Sequence, residues 1–333
     1  MVNSKYENVM IVGLGSMGKR RIRLLQRFDK NLVLIGVDTN KTRRENVSEN
    51  FKILTVSSME KALELISVHY AFVCTSPLTH ADIISFCLKN KVHVFSELNL
   101  VIDKYDENIS ISHDNEKTLF LSSTMLYRAE IMKLKEIVGE HKKRFNYTYH
   151  VGQYLPDWHP WENYMEYFVS DKRSNACREI FAIELPWIID TFGEITNFYV
   201  VKNKISTLKI DYDDNYLLII EHETGHKGTI TVDVVSRKPV RNLEVFSEDI
   251  YLTWNGTPEG LAQYDPVNKT QSTISLYKDV DKLDGYSDFV VENAYLDEIV
   301  DFFTQVRQKT IPRYDFEKDK LILQLIDKIE GLS

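Results

Sequence analysis

The ten residues IVGLGSMGKR constrain this chain more tightly than any other stretch. Gly13, Gly15 and Gly18 form G-x-G-x-x-G between a strand-like run, Val9 to Val12, and a helix-like run, Lys19 to Phe28. In that setting the first glycine permits a tight turn, the second lets backbone approach a diphosphate, and the third lets helix pack on strand. Ser16 and Met17 lie between them, where amide donors at a helix start can bind an anion. At the end of the next strand-like run, Ile35-Gly36-Val37-Asp38, a carboxylate is placed to accept hydrogen bonds from an adenosine ribose and to repel a 2′-phosphate. Asp38 therefore favours NAD. Lys41, Arg43 and Arg44 follow closely and can shield a phosphate, which keeps NADP as the lesser alternative. A methyltransferase using S-adenosylmethionine also pairs a glycine loop with a ribose-binding acid, so the loop alone does not exclude one.

Strand-like and helix-like runs go on alternating after this motif. Apolar runs at Leu32–Val37, Tyr70–Thr75, Val92–Phe95 and Thr118–Ser122 are separated by helix-like stretches such as Met59–Ile66 and Ala81–Lys89. Continuous apolar strands between helices predict a doubly wound parallel sheet covered on both faces. The character changes after Gly139. From Arg144 to Tyr277 the chain is mostly alternating, β-branched and aromatic, as in Tyr216–Glu223, Lys227–Arg237 and Asn242–Phe246, which predicts an open and mainly antiparallel sheet. Two amphipathic helices close the chain, with Leu296, Ile299, Val300 and Phe303 on one face, and Leu321, Ile322, Leu325, Ile326 and Ile329 on another. The expected fold is α/β plus α+β, with a Rossmann domain over 1–125 and a substrate-binding and oligomerisation domain over 126–333. The final helices are able to pack back on the first domain.

Composition excludes several classes of function. The 41 basic and 49 acidic residues are interspersed, so no polybasic face points to nucleic acid or anionic lipid. No apolar run approaches the roughly 20 residues needed to span a bilayer, and the first residues do not read as a signal peptide, which predicts a cytoplasmic protein with no membrane partner. Cys74, Cys87 and Cys177 are an odd, widely spaced set that suits reduced, packed thiols. His222-Glu223-Thr224-Gly225-His226 spells H-E-x-x-H, but that zinc pattern works only on a helix; here it joins two alternating strands through a glycine turn and predicts a hairpin without metal.

Two further segments follow predicted strands, at the carboxyl ends where open α/β sheets bind ligands: Thr75-Ser76-Pro77-Leu78-Thr79-His80 and Ser96-Glu97-Leu98-Asn99. At these residues the chain resembles the glucose-fructose oxidoreductase / inositol dehydrogenase / MocA family. The matches are GLGSMGKRRI, CTSPLTH for the family's C-T-P-x-x-x-H, Glu97 for the Glu of its E-K-P motif, and Tyr127-Arg128 after the last Rossmann strand. The resemblance spans nearly the whole chain. It implies a nicotinamide cofactor held by the first domain, with Thr75, Ser76, Pro77, His80, Glu97 and Asn99 beside the glycine loop, and His80 capping or packing near the cofactor. It also implies a sugar, polyol or nucleotide-sugar substrate on the second domain, with Arg128 near it, and a homodimer or homotetramer built through the second sheet.

The chain departs from the family where protons should move. Leu98 and Asn99 stand at the Lys and Pro of E-K-P, so the usual lysine is absent. The family's D-x-x-x-H-x-x-D segment falls on Glu179 to Pro186, fixed by Phe192-Gly193 at the helix end, and Ile183 stands where the histidine should be. Loss of positioned acid-base help typically forfeits about 10²–10⁴ in rate. Substitutes lie in Tyr154-Leu-Pro-Asp157-Trp158-His159-Pro-Trp161-Glu162. His159 exchanges protons near neutral pH, and Tyr154 or Tyr127 can do so if activated. Trp158 and Trp161 offer flat faces for sugar C–H groups, and Asp157 or Glu162 can bind hydroxyls. Glu179 is the acid expected to face the cleft, with Glu184 turned aside. Two readings follow: an NAD-dependent oxidoreductase for a sugar or sugar nucleotide, in surface-carbohydrate synthesis, or a catalytically degenerate binding protein that regulates or scaffolds a pathway.

Overall fold

A computed structural model describes residues 7–141, 143–159, 162–282 and 289–332. By internal contacts the chain divides into two units: Met1–Ser123 with Tyr295–Leu323, and Thr124–Ala294 with Gln324–Ser333.

The first unit holds a six-stranded parallel sheet. Its strands are β1 (Asn8–Val12), β2 (Val33–Val37), β3 (Leu54–Val56), β4 (Tyr70–Val73), β5 (His93–Ser96) and β6 (Leu119–Leu121), in the order β3-β2-β1-β4-β5-β6. The order reverses between β1 and β4, and that switch point opens a crevice at the carboxyl ends of the strands. The intervening helices are α1 (Ser16–Phe28), α2 (Lys41–Phe51), α3 (Met59–Leu65), α4 (His80–Lys89) and α5 (Tyr105–Asp114). Strand residues such as Val9 to Ile11 and Ala71 to Val73 are fully buried, which is why their runs are apolar without alternation.

The second unit contains α6 (Ala129–Glu140), α7 (Ala176–Phe192) and an eight-stranded sheet. Its strands are β7 (Asn146–Gly152), β8 (Ile195–Asn203), β9 (Asn215–His222), β10 (Lys227–Asp233), β11 (Val240–Phe246), β12 (Tyr251–Trp254), β13 (Ala262–Asp265) and β14 (Thr270–Thr273). They run in the order β14-β13-β12-β11-β7-β10-β9-β8. Every neighbouring pair is antiparallel except β7 and β10, which pair in parallel. Tyr147, Tyr149 and Val151 alternate inward, and Tyr147 stacks on Phe192 of α7 at 4.4 Å while Tyr149 meets Trp187 edge-on at 5.4 Å. The helix α7 is capped by Asn175, whose side chain accepts from the Arg178 amide at 2.8 Å. It stops at Gly193, which has φ +94°. The expected architecture is therefore found: a doubly wound parallel sheet and a mainly antiparallel one with helices.

The final helices, α8 (Glu292–Gln308) and α9 (Phe316–Glu330), correct the sequence reading in detail. Within the first unit, Phe302 of α8 meets the stacked rings of Phe72, Phe95 and Phe120 edge-on at 5.4, 5.7 and 5.8 Å. Phe303 stacks on Phe28 at 4.9 Å. The buried stripe is Ile299, Phe302 and Phe303, so Val300, expected inside, faces outward; Leu321 of α9 is exposed in the same way. The H-E-x-x-H stretch is a hairpin, closed by His222 N–H donating to the His226 carbonyl at 3.0 Å. His222 uses both ring nitrogens, on the Gly193 carbonyl and the Tyr147 hydroxyl. Cys74, Cys87 and Cys177 are buried free thiols. Among the described residues no helix is long and apolar enough to cross a membrane.

Candidate functional site

In the first unit, the loop between β1 and α1 has the shape its glycines predict. Gly13 sits at φ +94°, where a Cβ would come within 2.7 Å of the Cys74 carbonyl group. A Cβ on Gly18 would lie 1.9 Å from the Gly13 carbonyl oxygen, so only glycine allows α1 to start this close to the strand. Gly15 differs: a Cβ there meets nothing within 4 Å. The open space lies at the amino end of α1, where Ser16 and Met17 begin the helix with no side-chain cap and no acid in the first turn. A positive helix end with room beside it suits a diphosphate.

Asp38 closes this loop. Its Oδ2 accepts from the Leu14 amide and its Oδ1 from the Asn40 amide, both at 2.8 Å. These bonds fix the carboxylate at the carboxyl end of β2 while leaving lone pairs on each oxygen for ribose hydroxyls. Arg44 donates to the carbonyl oxygens of Asp38 and Thr39, so its guanidinium is committed to the loop backbone. Arg43 lies 3.9 Å from Asp38 Oδ2 and is half-exposed. The cradle, the helix end and the acid together fit a nicotinamide dinucleotide.

The loops after β4 and β5 are tied to each other. His80, at the start of α4, bridges the Asn99 side chain at 2.7 Å and the Thr75 carbonyl at 3.0 Å, with Ser76 and Pro77 leading into the helix between them. Burial lowers the pKa of His80, which favours a neutral ring with a single N–H for these two contacts.

Glu97, expected at the cofactor, has a different immediate partner. Its carboxylate receives Arg21 Nε at 2.5 Å and Arg21 Nη2 at 3.2 Å. Arg21 is completely buried; it also donates to Glu298 at 2.7 Å, Ser122 at 3.3 Å and the Tyr295 carbonyl at 3.0 Å, and lies over the Phe95 ring. The carboxylate at the end of β5 is thus half of a buried ion pair. Arg21 was legible as well, because it shares the apolar stripe of α1 with Gly18, Ile22 and Leu25, where a charge requires a partner.

The second unit holds the residues proposed for substrate binding and proton transfer. Arg128 is buried; it donates to both oxygens of Glu130 and to the carbonyl oxygens of Phe289 and Gly256, which makes it a packing anchor. Tyr127 is buried in the short turn Thr124–Tyr127. Tyr154 lies under the Arg237 guanidinium at 4.0 Å, Trp158 Nε1 donates to the Gln153 carbonyl at 3.0 Å, and Asp157 is exposed. Trp161 lies outside the described residues.

Two of the residues named from sequence do come together with one that was not. His159 meets the ring of Tyr167 edge-on at 5.2 Å, and the charge of Glu179 bears on the Tyr167 phenol. Glu179 is half-buried as a residue, yet its Oε2 is enclosed and has no partner among the described residues; burial pushes its pKa up to about 7. The Tyr167 hydroxyl is equally buried and unpartnered, and burial drives its pKa well up, so it stays protonated. Glu184 is turned away, accepting from Tyr149 and Trp187 at 2.7 Å each and pairing with Arg241.

The molecule thus contains a dinucleotide-binding Rossmann unit and an open-sheet unit with an enclosed acid. Comparison with known proteins agrees. Residues 7–117 match the model of the oxidoreductase family with an NAD-binding Rossmann fold. A curated relative, myo-inositol 2-dehydrogenase of Thermotoga maritima, is 26% identical over 131 residues, a match that spans 38% of this chain and 39% of the relative. Among solved structures, levoglucosan dehydrogenase in complex with NADH superposes with a TM-score of 0.81 at 14% identity, over 98% of this chain and 96% of that one. UDP-N-acetylglucosamine 3-dehydrogenase from Acidithiobacillus ferrooxidans gives 0.76 at 15% identity, over 98% and 97%. A further oxidoreductase, from Desulfitobacterium hafniense and described as NADPH-dependent, gives 0.81 at 11%, over 99% and 97%. Residues 7–117 thus match the NAD-binding Rossmann domain of the glucose-fructose oxidoreductase / inositol dehydrogenase / MocA family.

Proposed function

We propose that this protein is a cytoplasmic NAD-dependent oxidoreductase acting on a hydroxyl or ketone of a sugar, polyol or nucleotide sugar, in the making of surface carbohydrate. The observation that carries this reading is the cradle of Gly13, Gly15 and Gly18 closed by Asp38, since a chain retains that backbone geometry for an anion at a helix end. The sugar dehydrogenases among its relatives support the substrate class. Bound NAD would be held by the α1 amides and Asp38 and would supply the hydride acceptor. The protein's own part is to orient the hydroxyl and receive its proton. Purified protein with NAD should generate reduced nicotinamide absorbance with at least one member of a sugar, polyol and nucleotide-sugar panel; failure with every member, despite bound NAD, would favour the second reading. That reading, a degenerate binding protein, rests on Leu98 and Ile183, neither of which can carry a proton.

Asp38 sets the cofactor preference in this account. Asp38→Ser is expected to reduce the preference for NAD over NADP about tenfold or more, because it removes a repulsive charge worth ~1.4 kcal/mol or more at a 2′-phosphate. Parallel titrations with the two dinucleotides measure it, and an unchanged ratio would remove Asp38 from this role.

A second copy of the chain is the proposed partner for the outer face of the second sheet. Tyr199, Val201, Leu217 and Ile219 are 67%, 69%, 47% and 57% exposed, and they pair across β8 and β9 as Tyr199 with Ile219 and Val201 with Leu217. A contiguous apolar row of this kind can bury itself against its own copy about a two-fold axis. Light scattering should report a dimer or tetramer for the wild type and a smaller species for Ile219→Asp.

A further inference from the structure

At the amino ends of its parallel strands the first unit gathers two imidazoles and an ammonium group. His69 precedes β4, His93 opens β5 and Lys117 leads into β6, so all three lie at the opposite end of the sheet from the glycine loop. Each ring is tied to a neighbouring segment through Nδ1. His69 Nδ1 accepts from the Asn8 amide at 3.1 Å, and His93 Nδ1 accepts from the Thr118 amide at 3.0 Å. A neutral imidazole has one lone pair and one N–H, so a ring that accepts at Nδ1 must carry its hydrogen on Nε2. His93 Nε2 stands 3.5 Å from Lys117 Nζ, a group that can only donate. Two donors therefore face each other, and neither can accept from the other.

The local charges sharpen this conflict. Burial holds the pKa of His93 down at about 4, and the charges of Lys117 and His69 push it the same way. Lys117 is half-buried and has no acid partner among the described residues. Glu7, which receives the Tyr70 hydroxyl beside the His93 ring, is already paired with Arg307 at 2.8 Å. A water molecule can accept from two donors but offsets no charge, whereas an oxyanion does both. The same tautomers disfavour a transition metal, because neither Nε2 has a lone pair to offer.

We propose that His93 and Lys117, with His69 at the rim, form a binding site for an oxyanion of the phosphate type, which accepts from His93 Nε2–H and from the Lys117 ammonium. The site is separate from the dinucleotide cradle and does not depend on the oxidoreductase reading. Inorganic phosphate and a phosphate monoester present the same oxygens, and the test distinguishes them.

Nitrogen-15 spectra of the full chain, labelled at its nine histidines, should show the Nε2–H tautomer at His69 and His93, with the signals assigned through His69→Gln and His93→Gln. Phosphate added at fixed ionic strength, with chloride as the balancing salt, should shift the His93 signal and, more weakly, that of His69. The response should be the same in Gly15→Val, whose side chain occupies the space beside α1. Lys117→Met keeps the stem of the side chain and should weaken phosphate binding about tenfold or more, through loss of one charge-assisted contact. A stronger response to inorganic phosphate than to glycerol phosphate assigns a free anion, and the reverse order assigns a phosphoryl group on a larger molecule; either supports the site. An Nδ1–H tautomer at His93 overturns the proposal without recourse to any binding variant. So does a His93 signal that phosphate does not move, which would leave water as the acceptor, or one that chloride moves equally. Undiminished affinity in Lys117→Met, or a response lost in Gly15→Val, would also overturn it.

Discussion

Gly15→Val is expected to fold as the wild type does and to bind NAD at least about a hundredfold more weakly, a loss of ~2.7 kcal/mol or more. The two halves of that result come from one fact, that a Cβ at Gly15 meets no protein atom within 4 Å. The backbone there is extended, with φ −75° and ψ −158°, a region valine adopts without strain. The Cβ would therefore meet no protein atom, and the side chain would enter the space beside the α1 amides that a diphosphate needs. Gly18→Ala is the companion experiment, because its Cβ would collide with the Gly13 carbonyl at 1.9 Å and must displace α1. It should lower the melting temperature and the affinity together. A Gly15→Val protein that melts normally and binds NAD normally would mean that the space beside α1 is not where the dinucleotide lies.

Arg21→Ala should destabilise the protein by about 3–5 kcal/mol in urea unfolding at neutral pH, the usual cost of stranding buried charge. The variant removes the cation shared by Glu97 and Glu298, both buried, and leaves two carboxylates in an apolar surround that includes the Phe95 ring. Burial already raises the pKa of Glu298, and Arg21 opposes that rise. Without the guanidinium, the Glu298 carboxyl should titrate above its unfolded range in the folded protein. A folded-state pKa raised above the unfolded value means that the native state binds more protons, so stability falls as pH rises through that window. The deficit should accordingly shrink as the pH is lowered from 7.5 toward 5. A deficit under 1 kcal/mol that does not vary with pH would show that the triad is not the anchor described here.

The Rossmann half was largely legible because its strands are buried on both faces and read as unbroken apolar runs. The helix α2 was not: it buries only Val47, and so carries no stripe to detect. The pairing of β7 with β10 in parallel was hidden for a different reason, since inward alternation looks the same whichever way the neighbour runs. At the site, the glycine loop and Asp38 could be read because their spacing encodes backbone geometry directly. The role of Glu97 was obscured by sequence distance, as its partner Arg21 lies 76 positions earlier. Tyr167 belongs to no motif and is one of 18 tyrosines; only the enclosure of its hydroxyl singles it out.

Calorimetric titration of the purified wild-type protein with NAD, and separately with NADP, tests the dinucleotide cradle most directly. The account predicts uptake of NAD at a single site per chain, with weaker uptake of NADP. A folded protein that takes up neither would contradict it.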